Sequence, residues 1–94
     1  AWVADVYQAV TGSRGSAHCA LCAADMWAVS SDFSQIPVGA TVYGYSSSKY
    51  GHVGIYIGNG MVAHNIGEIK IQSLESWIET YKGFAWGWEN DKKL

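Results

Sequence analysis

The run His52-Val53-Gly54-Ile55-Tyr56-Ile57, followed by Gly58-Asn59-Gly60 and then Met61-Val62-Ala63-His64-Asn65, leaves this chain little conformational choice. The first part is apolar, of strand length, and reads as a buried strand. Asn-Gly between such runs is a strong hairpin signal, because both central residues of the favoured tight turn need positive φ. Met61 to Asn65 is then the returning strand. With the turn centred on Asn59, residues whose numbers sum to about 118 face each other. His52 therefore falls near Asn65 or Ile66, and His64 near Val53 or Gly54. Two imidazoles come together at one end of a sheet, beside a Gly/Ser/Tyr-rich loop from Tyr43 to Tyr50.

The rest of the chain supplies the scaffold. Trp2, Val3, Val6, Tyr7 and Val10 recur at helical spacing and predict a helix from Ala1 to Val10, ended at Thr11-Gly12. Ser16 is the expected N-cap of a second helix, Ala17 to about Val29, whose many small residues call for close packing. Ser30 to Pro37 reads as loop. From Gly39 the period changes, and Ala40 to Tyr45 is β-prone. Glu68 to Gln72 alternates Ile69 and Ile71 against Glu68, Lys70 and Gln72. Ser73 caps a short helix, Leu74 to Tyr81, with Glu75 in its first turn. Phe84 to Trp88 is a last strand, and Glu89 to Leu94 a polar tail. Two helices, then a mainly antiparallel meander with one helix inserted, make an α+β fold. The 94 residues are one domain's worth of chain, and 49% of them are hydrophobic, ample for a packed core.

Composition also excludes partners. The six basic residues are scattered and the net charge is −2, so the basic patch that nucleic acid requires is missing. No apolar run approaches the ~20 residues that cross a bilayer. The chain opens at Ala1 without Met, and is read as part of a longer product or one trimmed at its front.

An imidazole oriented by a polar neighbour is what a general base needs. His52 is the candidate base. His64 is the candidate orienting group, with Asn65 as the alternative, since strand alternation lets only one of them face His52. Tyr43, Tyr45 and Tyr50 flank the loop before His52 and are read either as walls of a substrate groove or as strand-edge aromatics. Trp86 and Trp88 share a strand face and are read as core cover. Cys19 and Cys22 are read as small apolar packing in an Ala-rich helix, whose side chains rarely meet disulfide geometry at that spacing. His18-Cys19-x-x-Cys22 looks like half of a zinc site, but no second pair completes it.

His52-Val53-Gly54-Ile55-Tyr56-Ile57-Gly58 resembles, residue for residue, the base motif of NlpC-type cell-wall peptidases, which are related to the amidase domains of phage lysins. Pro37-Val38-Gly39 is similar to the segment leading into that family's first core strand, and His64 to its third catalytic position. Trp2-Val3 and Val6-Tyr7 resemble the apolar face of its nucleophile helix. The resemblance implies a papain-like fold and a peptidoglycan hydrolase, a cysteine endopeptidase or amidase that needs no metal or cofactor. It implies stem peptides as substrate, and a bacterial extracellular or cell-wall location, whether secreted or phage-delivered. In the family register the nucleophilic Cys lies two positions before Ala1. A shorter register puts it at Ala1, as a Cys→Ala replacement. Non-catalytic wall binding, or a thiol hydrolase for another amide, are the other functions this resemblance admits.

Overall fold

The turn Asn59-Gly60 takes φ of 53° and 69°, the left-handed pair that a tight hairpin demands. It joins β3 (His52–Gly58) to β4 (Met61–Asn65), with Ile55 opposite Ala63 and Tyr56 opposite Val62, before a bulge at Gly58. These are the pairings expected from a turn at Asn59. The computed structural model describes residues 2–17 and 19–94. Ala1 and His18, and with them the zinc half-site and the Ala1 register, lie outside the described residues.

Around this hairpin the sheet has six strands in the order β1-β6-β2-β3-β4-β5, every neighbouring pair antiparallel. The other strands are β1 (Ala28–Ser30), β2 (Thr41–Gly44), β5 (Ile69–Ser73) and β6 (Ala85–Gly87). Helices α1 (Trp2–Thr11) and α2 (Ala20–Trp27) cover one face, and α3 (Leu74–Tyr81) the other. Both faces being covered, all four residues of β2 are buried. On the first face Val3, Tyr7 and Ile55 form one cluster, and Ala23, Ala24, Trp27, Tyr43 and Ala85 another. On the second, Val42, Val62 and Trp86 pack around Trp77, which is fully buried. Truncating a side chain of that kind to Ala costs about 3–5 kcal/mol. Among the described residues the molecule is thus an α+β domain of three α-helices and one antiparallel sheet.

Three expectations about elements need correction. The second helix begins at Ala20 rather than Ala17, and Cys19, not Ser16, is its N-cap, its Sγ accepting the N–H of Cys22 at 3.0 Å. Residues 28–30, expected within the helix end and loop, form β1, which adds itself to β6 at the sheet edge. The last strand covers only Ala85–Gly87. Trp86 is buried on the sheet, its indole N–H donated to the Asp32 carbonyl at 2.8 Å.

Candidate functional site

His52 opens β3 and faces Gly44 of β2 across the ladder. Continuing the β3–β4 register by one pair sets Gly54 opposite His64, so the two histidines share a face on a diagonal. Gly54 makes the approach possible. A Cβ there would stand 2.7 Å from Val62 Cγ1 and 3.2 Å from His64 Cβ. The rings meet edge to face, with His52 Nε2 and His64 Nδ1 2.8 Å apart. Asn65 points elsewhere and accepts the N–H of Gly67. Of the two candidates for orienting His52, the structure brings His64 to it.

His64 is fully buried, and its Nε2 lies 3.0 Å from Gln72 Oε1 on β5. Gln72 is held in turn by α3, its amide donating to Ser76 Oγ at 2.8 Å and Thr80 Oγ1 at 3.2 Å. Ser73 caps this helix by accepting the N–H of Ser76, and Leu74 N–H is donated to the Gly60 carbonyl at 2.7 Å, docking the helix on the hairpin turn. Four-residue spacing then aligns Ser76 with Thr80, and Trp77 with Tyr81. The first pair holds Gln72. The second packs on the histidines, Tyr81 lying 4.3 Å from the His52 ring centroid and Trp77 6.0 Å from it.

This chain of contacts assigns the protons. The Gln72 carboxamide donates through its nitrogen, so its oxygen accepts and His64 Nε2 carries a hydrogen. In a neutral ring His64 Nδ1 is then an acceptor, and His52 Nε2–H donates to it. The lone pair of His52 is left on Nδ1, which has no hydrogen-bond partner among the described residues. Burial pushes the His52 imidazole down from its ordinary 6.5 to about 4, and the neighbouring His64 adds to the effect. His64 is lowered as well, chiefly by burial and also by Lys70, against the opposing effect of the hydrogen bond it donates to Gln72. At neutral pH both rings are therefore uncharged, and His52 Nδ1 is free to take a proton.

His52 lines a cleft of about 330 Å³, walled by Trp2 and Val3 at the start of α1, Cys19 and Ala20 at the start of α2, and by Tyr50 and Asn65. The first residues of two helices thus line the same cleft as His52, and the positive dipole ends of those helices favour a negative charge there. The three tyrosines separate. Tyr50 is exposed at the cleft mouth. Tyr45 packs at a tilt against Phe84 and lines a different hollow, with Ser46, Ser47, Tyr81 and Lys82. Tyr43, expected as a groove wall, is instead a core residue with no exposure, because in β2 its side points under α2. Cys19 and Cys22 also depart from expectation, since they are bonded to each other. Cys19 is extended (φ −157°, ψ 166°) rather than helical, and this sets the Cα atoms 5.1 Å apart, within bridging range.

Gln72, Ser76, Thr80 and Tyr81 were not among the expected site residues. The alternation of β5 did carry a signal for Gln72, since it sets Gln72 on the face opposite Ile69 and Ile71. No family model matches this chain, and neither curated proteins nor solved structures give a match.

Proposed function

We propose that this chain is the greater part of a papain-like cysteine hydrolase domain, an endopeptidase or amidase that cleaves amide bonds in peptidoglycan stem peptides. The observation that carries this reading is the His52–His64–Gln72 relay, in which His52 keeps an Nδ1 without a hydrogen-bond partner among the described residues and lines a cleft that the start of α1 also lines. A cysteine carried just ahead of Trp2-Val3, where the resemblance puts the nucleophile, would enter that cleft at a helix N-terminus, a setting that lowers a thiol's pKa.

In this mechanism His52 Nδ1 takes the thiol proton and the thiolate attacks the amide carbonyl carbon. Backbone N–H groups at the helix start hold the resulting oxyanion. His52 returns the proton to the leaving amine, then draws one from the water that releases the acyl group. Throughout, His64 holds the His52 ring by accepting its Nε2–H, and Gln72 fixes the His64 tautomer. The imidazolium that forms transiently is favoured by the thiolate beside it, which offsets the burial that otherwise disfavours the charge. Tyr50 and Trp2 flank the position of the scissile peptide.

The test is release of new amino groups from purified peptidoglycan by the native protein. Turnover that falls by about 10²–10⁴ in His52→Ala supports the reading. Binding to the wall without any amine release identifies a non-catalytic member of the same fold. Turnover unaffected by the substitution contradicts the assignment of His52.

A further inference from the structure

The hydrolase reading makes no use of the two cysteines that begin α2. Cys19 Sγ sits at the helix N-cap and accepts the N–H of Cys22, and the two sulfurs are bonded. The ends of this bridge are unlike. Cys22 is exposed, while Cys19 is half-buried and lines the His52 cleft. Leu21, between them, donates its N–H to the Tyr50 carbonyl at 3.1 Å. Its side chain fills the space beside Gly51, where a Cβ would lie 2.9 Å from Leu21 Cγ. Tyr50 and Gly51 lead directly into His52, so the bridged turn is fastened to the approach to the site.

We propose that Cys19–Cys22 is a thiol–disulfide exchange site that opens into the His52 cleft, with dithiols as its reductant. A thiolate of the dithiol attacks Cys22 Sγ, the sulfur that solvent reaches. The Cys19–Cys22 bond breaks, its electron pair leaves on Cys19 Sγ, and a mixed disulfide joins Cys22 to the reductant. Cys19 is the better leaving group because the helix N-terminus and the Cys22 N–H stabilise it as a thiolate. The second thiolate of the reductant then attacks the reductant's own sulfur in the mixed disulfide. Cys22 is released as thiolate and the reductant leaves as its cyclic disulfide. Two electrons, with two protons, pass from the dithiol to the protein, and an oxidised dithiol reverses each step. Reduction presents Cys19 in the cleft wall and unfastens the turn that carries Leu21. This inference is independent of whether the cleft hydrolyses peptides.

The experiment is alkylation mapping of the native protein across a series of reduced-to-oxidised dithiothreitol ratios. In the absence of reductant neither Cys19 nor Cys22 should take iodoacetamide, and both should become available together as the ratio rises. With limiting iodoacetamide near pH 6.5, reduced Cys19 should label at least about tenfold faster than Cys22, reflecting its greater thiolate fraction. Hydrogen exchange at the Leu21 amide should quicken on reduction. Two free thiols in the protein purified without reductant would overturn the proposal. So would faster labelling of Cys22, or an unchanged Leu21 amide.

Discussion

Two polar clusters lie on opposite faces of the same sheet, one centred on the buried His64 and the other on the buried Thr41 and Tyr43, and they differ in how completely they are hydrogen-bonded. Under α3, His52, His64 and Gln72 form a line in which each donor meets one acceptor and the line ends on the hydroxyls of Ser76 and Thr80. Under α1 and α2, Thr41, Tyr43 and the buried carboxyl of Glu89 line a cavity of about 130 Å³. There the hydroxyls of Thr41 and Tyr43 have no hydrogen-bond partner among the described residues. Such a space has room for about four waters at ~30 Å³ each. The contrast teaches what a connected network adds. In the relay the position of every proton follows from the amide of Gln72, so the free lone pair of His52 has a fixed direction. In the cavity the hydroxyls can rotate, and nothing there orients a reacting group.

Among changes that leave His52 in place, cutting the relay at its far end should have the largest effect. Gln72→Leu leaves His64 Nε2–H buried without an acceptor, at a cost of about 1–3 kcal/mol, and lets His64 adopt the other tautomer. Hydrolytic turnover should fall by roughly 10–100-fold, the range seen when an orienting partner of a functional histidine is removed. Urea unfolding measures the first quantity and amine release the second. Full activity in Gln72→Leu would show that His64 needs no such partner.

Acid should separate the clusters by sign. Both histidines titrate below their ordinary 6.5 in the native state, chiefly through burial, so the unfolded chain binds more protons there. The contribution of His52 to stability is complete above about pH 6.5 and is lost as pH falls toward about 4, and that of His64 is lost in the same direction. Glu89 is shifted upward by its burial. Its ionised form is penalised in the fold, so acidification through its native pKa relieves a cost. The urea midpoint of the native protein should therefore drop between pH 7 and pH 4.5. The drop should be shallower in His52→Ala and steeper in Glu89→Gln. Equal slopes in all three proteins would remove the distinction.

The smallest effect belongs to Tyr43→Phe. Removing a hydroxyl that has no partner among the described residues should change stability by no more than about 0.5 kcal/mol, or raise it. A loss of about 1 kcal/mol or more in urea unfolding would mean that ordered water satisfies that hydroxyl.

What could be read in the sequence divides along similar lines. The hairpin was legible because Asn59 and Gly60 admit one kind of turn, but which residue faces His52 was not: the turn pairs Gly58 with Met61, and the bulge between Tyr56 and Gly58 shifts the ladder by one residue, which puts His64 on the face of His52. Helix α3 was legible from its cap, Ser73, and its boundaries agree with the expectation. The start of α2 was not, since Ala17 to Cys22 has helix-forming composition throughout and a cysteine sulfur is not an ordinary cap. The cysteine bridge was missed for the same reason, because it requires Cys19 to lie outside the helix. Strand β1 was hidden by its three-residue length and by following α2 directly. Gln72 alternates correctly with Ile69 and Ile71, but a lone amide on a strand carries no chemical signature until its neighbours in space are known. Tyr43 belongs to a strand covered on both faces, where alternation no longer separates core from groove.

The central claim is that His64 and Gln72 leave the lone pair of His52 on Nδ1 at neutral pH. Nitrogen-15 imidazole spectra of the protein, recorded as a function of pH, test it most directly. The account predicts that His52 and His64 both carry their hydrogen on Nε2 at pH 7, and that His52 titrates near 4. A His52 ring protonated on Nδ1, or one titrating at its ordinary 6.5, would contradict it.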